Sequence, residues 1–184
     1  QKKLCRQSVL ALGVRGVQLD VMADGAVRNA GLVALMNDVN VGLRVTKVNN
    51  CDASSAHMRD LGHAGKILEA TVKAVSLPVT LKMRTGWDDD SRNAPELARI
   101  AEDCGIQALA VHGRTRACGY KGDAEYDTIA RIRKAINIPL FANGDINSPV
   151  KARQVLDYTG ADAVMLGRAE QGNRWNFREI SHYR

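Results

Sequence analysis

The chain alternates short apolar runs with stretches of helical periodicity, and this alternation constrains its fold more than any other feature. The runs are continuously apolar, which is typical of strands buried on both faces of a parallel sheet. They predict six strands, over Val14–Leu19, Asp38–Val41, Pro78–Met83, Ala108–His112, Ile138–Ala142 and Ala163–Leu166. Between them, apolar residues recur at helical spacing, and Ser148-Pro149 marks one helix start. The pattern predicts a parallel α/β sheet.

Polar or glycine residues stand at or just after the end of each predicted strand. They are Gln18, Asn40, Lys82, His112, Asn143, Gly144, Asp145, Gly167 and Arg168. A doubly wound sheet would gather such groups at one switch point, and the GxGxxG pattern of a dinucleotide fold is absent. Groups spread over successive strand ends instead favour the mouth of a (β/α)8 TIM barrel. Such barrels need about 250 residues, so in 184 residues we expect an incomplete barrel or irregular elements around Val9–Leu12 and Leu32–Met36.

Composition narrows the class of protein. At 45% hydrophobic and 25% charged residues the chain has the composition of a globular domain. It has no apolar run of membrane-spanning length and no signal-peptide core, and its four cysteines are widely spaced. We therefore expect a cytoplasmic protein with reduced thiols. A net charge of +6 is compatible with a nucleic-acid partner or with a basic enzyme that has none.

The loops after the last two predicted strands suit a phosphate group. Glycine at Gly144 and Gly167 lets backbone N–H groups approach an anion, and Arg168 adds a positive charge. Ordinary turns would use glycine here as well. Asp88-Asp89-Asp90 has no histidine or further carboxylate at ligand spacing, so no metal site is predicted.

Four other strand-end side chains have a functional and a structural interpretation. Lys82 could stabilise an anionic ring or a phosphate, or could be a solvated lysine. His112 could act in a site or be a hydrogen-bonded core histidine. The amides of Gln18 and Asn40 could bind the edge of a heterocycle or satisfy backbone groups.

Several longer segments resemble one family closely. They are Pro78 to Trp87, Ala101 to Leu109, Val111 to Arg116, Ala142 to Ile146 and Leu156 to Ala163. Together they resemble the bacterial tRNA-dihydrouridine synthases of B type. That resemblance implies a TIM-barrel flavoprotein with a C-terminal helical domain, which uses FMN and NADPH to reduce a tRNA uridine to 5,6-dihydrouridine.

The resemblance also implies roles for individual residues. Its FMN-binding positions match Gln18, Lys82, Asn143, Gly144, Asp145, Gly167 and Arg168, with His112 and Asn40 near the flavin. Gly144, Gly167 and Arg168 would hold the phosphate, Lys82 would face the pyrimidine edge, and Gln18 would bond the ring. Under the same resemblance, Arg84, Arg114 and Arg116 are candidates for contact with tRNA.

The first third of the chain departs from the family pattern. Without gaps, Leu43 stands where the family has its catalytic cysteine, and a leucine has no proton to donate. A gapped alignment makes Cys51 the acid instead but deletes about eight residues. The family's first strand and its C-terminal helical domain have no counterpart, so we expect residues 1–184 to form a partial flavin-binding catalytic barrel.

Three functions remain open at this point. The first is a dihydrouridine synthase-like oxidoreductase, impaired or inactive because of Leu43. The second is an inactive barrel remnant that binds RNA or a phosphate ligand. The third is another FMN barrel dehydrogenase of a small pyrimidine, such as a dihydroorotate dehydrogenase, although Val111 to Arg116 resembles the tRNA enzymes more closely.

Overall fold

A computed structural model describes residues 17–18, 57–74, 78–170 and 175–183. In this part of the chain five parallel strands form one sheet, and their order in the sheet is their order in the sequence. The strands are β1 (Val17–Gln18), β2 (Val79–Arg84), β3 (Ala108–His112), β4 (Leu140–Asn143) and β5 (Ala163–Met165).

Helices connect these strands and contact one another in sequence. They are α1 (Leu61–Ala74), α2 (Ala94–Asp103), α3 (Asp127–Arg133), α4 (Pro149–Thr159) and α5 (Asn176–His182), with short 3₁₀ helices at His57–Arg59 and Arg168–Glu170. Each of α1 to α4 packs against the next helix. A sequential parallel strand order with successive helices side by side is the arrangement of a (β/α)8 barrel, whereas a doubly wound sheet reverses its strand order. The predicted partial TIM barrel is confirmed.

The two faces of the sheet carry different side chains. Residues of one parity, such as Leu109, Val111 and Leu140, pack with the helices in the main apolar core. Residues of the other parity form a separate, smaller inner cluster of Ala108, Ala110, Phe141 and Met165. Because side chains alternate along a strand, the polar residues that share this second parity lie on the inner face of the sheet.

The sequence located β3 correctly and misplaced the ends of its neighbours. The predicted strand Pro78–Met83 is observed at Val79–Arg84, and Ile138–Ala142 is observed at Leu140–Asn143. Proline has no N–H for a ladder, which delays each strand start, and pairing with β3 extends each strand end. Ala163–Leu166 ends one residue early, at Met165. Of Val14–Leu19 only Val17–Gln18 is described, and Asp38–Val41 lies outside the described residues.

The helix start predicted at Ser148-Pro149 is confirmed. The Ser148 side chain accepts a hydrogen bond from the Lys151 N–H at 3.2 Å, and Pro149 is the first helical residue. In the described part of the chain no helix is long and apolar enough to span a membrane, and no group of three or more metal-ligating side chains comes together. Cys104 and Cys118 are free thiols there.

Candidate functional site

The carboxyl ends of β2, β3 and β4 place three polar residues side by side. Arg84 pairs with His112, and His112 pairs with Asn143. Paired residues of a parallel ladder point to the same face, so the three side chains form a row across the inner face. Two residues earlier on the same face, Lys82 pairs with the small residue Ala110. The mouth of the partial barrel is therefore cationic over an apolar floor.

Lys82 and Asn143 contact each other across the inner face. The Lys82 Nζ donates to Asn143 Oδ1 at 3.4 Å, and the Asn143 Nδ2 donates to the carbonyl of Met165 at 2.7 Å. An amide has one acceptor end and one donor end, so the bond to Met165 turns the oxygen toward the ammonium group. Asn143 is buried. It thus connects β2, β4 and β5 at the mouth.

His112 is a neutral imidazole in this setting. It is 8% exposed. Burial, followed by the positive charges of Lys82, Arg84 and Arg114, lowers its pKa to about 3, although the Asp145 carboxylate opposes them. Its Nδ1 is buried and has no hydrogen-bond partner among the described residues. A buried ring nitrogen in that state can accept or donate a bond to a group entering the mouth.

An ion pair supports the loop after β4. Arg114 is only 4% exposed, and its Nη2 lies 2.6 Å from Asp145 Oδ2. The same carboxylate oxygen accepts from the Ala124 N–H at 2.8 Å. Burial would raise the pKa of Asp145, but the Ala124 N–H and the guanidinium groups of Arg114 and Arg168 hold it below its ordinary value. Asp145 is therefore a carboxylate shared between two arginines.

Gly144 makes the turn after β4 possible. Its φ is +125°, and an added Cβ would lie 2.7 Å from the Ala124 Cβ. The Tyr126 hydroxyl donates to the Gly144 carbonyl at 2.6 Å. Only a residue without a Cβ fits this conformation and this space. The turn brings Asp145 beside Arg114 and Arg168.

The loop after β5 is more open. A Cβ added at Gly167 would meet no atom of the described residues within 4 Å. Arg168 follows it with a side chain that is 65% exposed, and its Nη2 lies 3.7 Å from Asp145 Oδ1. The guanidinium also lies over the Tyr120 ring, 5.0 Å from its centroid. An exposed guanidinium beside an open glycine can bind an anion.

Two of the three arginines expected to contact tRNA are engaged within the protein. Arg84 donates through Nη1 to the carbonyls of Thr115 and Gly119, at 3.1 and 3.2 Å. Arg114 donates to the Gly122 carbonyl at 3.2 and 2.6 Å, besides its ion pair with Asp145. Arg114 is buried, and both guanidinium groups bind carbonyls of the β3–α3 loop. Contact of Arg84 and Arg114 with tRNA stays a prediction.

Arg116 lies elsewhere, beside Trp87. Its guanidinium is 4.7 Å from the centroid of the indole ring, and that of Arg59 is 5.2 Å from it. Backbone bonds from Arg116 to Gly86 and from Ala117 to Trp87, at 2.9 and 2.8 Å, fasten the two loops together. These loops follow β2 and β3 at the same edge of the sheet as Lys82 and His112. The arrangement places two cations and an aromatic ring next to the mouth.

Comparison with known proteins identifies the relatives of this chain. The family model for dihydrouridine synthase (Dus) matches residues 2–184. The chain belongs to the dihydrouridine synthase family. It is 56% identical over 163 residues to tRNA-dihydrouridine synthase B of Pseudomonas aeruginosa, which covers 89% of this chain and 49% of that protein. It is 54% identical over 177 residues to tRNA-dihydrouridine synthase B of Proteus vulgaris, covering 94% and 55%. The chain spans about half the length of the curated relatives it matches.

Part of the site expected for a dihydrouridine synthase lies outside the described residues. This part includes Asn40, Leu43 and Cys51. Gln18 is described only through its backbone, which pairs with Thr80 of β2. The structure brings Lys82, His112 and Asn143 together on one face, and it joins Asp145 to Arg168 at the neighbouring loops.

Sequence patterns single out neither Tyr120 nor Gly122, although both contact the site arginines. No sequence pattern indicates that the Tyr126 hydroxyl supports the turn at Gly144. These residues stand in or next to the β3–α3 loop, far in sequence from β4 and β5. A glycine-containing loop after β3 was the available signal, but spacing alone does not show which strand such a loop contacts.

Proposed function

We propose that residues 1–184 form a partial, flavin-binding TIM-barrel domain of a cytoplasmic enzyme that reduces a tRNA uridine to 5,6-dihydrouridine with FMN and NADPH. The observation that carries this proposal is the cluster of Lys82, His112 and Asn143 at the barrel mouth, in a chain of the dihydrouridine synthase family. The named activity of the full-length relatives supports the same reaction.

The side chains present fit FMN. Lys82 offers a positive charge to the electron-rich pyrimidine edge of the ring. His112 offers a ring nitrogen that no described residue bonds, and the ring adds no charge because its pKa is about 3. No described residue comes within 4 Å of a Cβ added at Gly167, and the exposed guanidinium of Arg168 belongs to the next residue. The first two residues suit the ring, and the second two suit the phosphate.

Two residues expected to bind FMN act indirectly in this proposal. The carboxylate of Asp145 would repel a phosphate, and it instead pairs with Arg114 and Arg168. Gly144 forms the turn that places Asp145 there. Gln18 and Asn40 keep their proposed bonds to the flavin ring.

Bound FMN, once reduced by NADPH, would supply the hydride that uracil C6 requires. Uracil C5 must then receive a proton. The rate of this step depends on the residue at the position of the family's catalytic cysteine. Leu43 cannot donate a proton, which predicts slow protonation from water. If the gapped alignment holds, the thiol of Cys51 is the acid.

Contact with tRNA is assigned to the loops beside the mouth. Arg116 and Arg59 lie over the Trp87 ring at the edge of the sheet where the strands end. Guanidinium groups bind phosphates, and an indole can stack on an unpaired base. Of the three arginines implied by the resemblance, Arg116 is the one that suits this role.

The experiment that tests the proposed function is formation of dihydrouridine in unmodified tRNA, with FMN and NADPH, by the parent chain, Leu43→Cys and Cys51→Ala. We expect a low rate in the parent and a gain of about 10²–10⁴-fold in Leu43→Cys, since a positioned acid contributes that much. Cys51→Ala should match the parent. Flavin absorbance of each purified variant controls for cofactor loading.

Other results would change the assignment. Robust parental activity that disappears in Cys51→Ala would make Cys51 the acid. Oxidation of dihydroorotate without any reaction on tRNA would favour a small-pyrimidine dehydrogenase. A colourless protein that binds RNA or phosphate but no flavin would favour the inactive remnant.

A further inference from the structure

The loop between β3 and α3 is held at two carbonyls that lie on either side of Tyr120. Arg84 donates to the Gly119 carbonyl at 3.2 Å, and Arg114 donates to the Gly122 carbonyl at 2.6 Å. Arg84 belongs to β2, and Arg114 stands two residues after the end of β3. Two guanidinium groups anchored at strand ends therefore fix the segment that carries Tyr120.

Tyr120 meets Arg168 at the end of β5. The Tyr120 side chain is exposed, and the Arg168 guanidinium lies 5.0 Å from the centroid of its ring. The Arg168 Nη2 lies 3.7 Å from Asp145 Oδ1, and Asp145 is itself fixed by Arg114 and the Ala124 N–H. Arg168 thus contacts a ring on one loop and a carboxylate on another, and Arg114 holds both of those loops.

We propose that Tyr120 is a positioning residue that orders the Arg168 guanidinium for a phosphate monoester beside Gly167. This proposal rests on the proposed function, because the phosphate is that of a bound flavin nucleotide. Tyr120 does not contact the phosphate. It acts through Arg168, whose side chain would otherwise lose rotamer freedom when the anion binds.

The ring and the carboxylate have different effects on Arg168. The face of an aromatic ring attracts a cation without using its N–H donors, so those donors remain available to phosphate oxygens. The Asp145 carboxylate lies 3.7 Å from the Arg168 Nη2, beyond hydrogen-bond distance, so it attracts the guanidinium only weakly. Tyr120 therefore orders the guanidinium at little cost to anion binding.

The test compares FMN with riboflavin, which lacks the phosphate, by titrating the full chain and following flavin fluorescence. Tyr120→Leu removes the ring, Tyr120→Phe keeps it, and Tyr183→Leu is a matched control at another exposed tyrosine. We expect Tyr120→Leu to raise the Kd for FMN about 2- to 5-fold, as an exposed cation–π contact implies. The Kd for riboflavin should stay unchanged, and Tyr120→Phe should bind both ligands like the parent. In an Arg168→Ala background, Tyr120→Leu should have no further effect.

Each contrary result has a distinct meaning. Equal losses for FMN and riboflavin in Tyr120→Leu, or failure of Tyr120→Phe to restore FMN binding, would overturn the positioning role. If Arg168→Ala loses its preference for FMN while Tyr120→Leu does not, the proposed function stands and the role of Tyr120 falls. If the parent chain binds no FMN, both the proposed function and the role of Tyr120 are refuted.

Discussion

Asn143 contacts the Lys82 ammonium with its oxygen and the Met165 carbonyl with its nitrogen, so one buried amide connects three strands of the mouth. The two distances are 3.4 and 2.7 Å. The bond to Met165 sets the direction of the amide, and the amide in turn limits where Lys82 can point. Orientation of the lysine at the mouth therefore depends on a neighbour two strands away.

Replacing Asn143 with alanine should destabilise the protein and release Lys82. The Met165 carbonyl would lose its buried partner, which costs about 1–3 kcal/mol. Urea unfolding measures this loss, with the exposed Asn137→Ala as the control. Equal unfolding midpoints for the two variants would contradict the contact between Asn143 and Met165.

His112 should make stability fall as the pH drops below about 6.5. Its pKa is about 3 in the folded chain and 6.5 ordinarily. The unfolded chain therefore takes up a proton first, so the stability from this group is complete above pH 6.5 and is lost progressively toward pH 3. The unfolding free energy of the parent, minus that of His112→Gln, should decrease by on the order of 1–2 kcal/mol between pH 7 and pH 5. A constant difference over that range would show that His112 is not held neutral by its surroundings.

The ion pair of Arg114 and Asp145 should contribute strongly because the arginine is buried. Asp145→Asn removes the charge that compensates it, and a hydrogen bond to a charged group is worth about 1.5–3 kcal/mol. Since the pKa of Asp145 is lowered, this stabilisation is present above its ordinary value of 3.8 and is lost as the pH falls further. Asp157→Asn, in an exposed pair with Arg153, is the control and should leave the urea midpoint nearly unchanged. Similar urea unfolding midpoints for Asp145→Asn and Asp157→Asn would refute a stabilising role of the ion pair between Arg114 and Asp145.

Two glycine substitutions should separate structure from binding. Gly144→Ala forces a Cβ into a positive-φ turn and against Ala124, so we expect a loss of about 1–3 kcal/mol in stability. Gly167→Ala meets open space, so stability should stay the same while the Kd for FMN rises. Thermal unfolding and flavin titration of both variants provide the check. Unaltered FMN binding by Gly167→Ala would remove that glycine from the phosphate site.

The sequence predicted the fold and the strand-end residues for one reason. Apolar runs mark the strands, and parallel strands must present their carboxyl ends together, so Lys82, His112 and Asn143 could be expected at one edge. Contacts made by loops carry no such signal. Arg84 and Arg114 look like surface cations in the sequence, and only the folded β3–α3 loop supplies the carbonyls that they bind.

The protonation state of His112 could not be predicted from the sequence either. The lowered pKa of His112 depends on burial and on cations that come from β2 and from the loop after β3. Tyr120 reaches Arg168 across 48 positions of sequence, so no local pattern relates the two residues.

We propose that Lys82 contacts a flavin at the barrel mouth, and titration of the chain with FMN is the sharpest check of this contact. The measurement follows quenching of flavin fluorescence for the parent, Lys82→Met and the exposed control Lys66→Met. We predict saturable FMN binding by the parent and by Lys66→Met, and a Kd raised by at least about 10-fold in Lys82→Met, because a charged contact worth about 1.5–3 kcal/mol is lost. No binding by the parent, or equal binding by Lys82→Met and Lys66→Met, would refute a flavin site at Lys82.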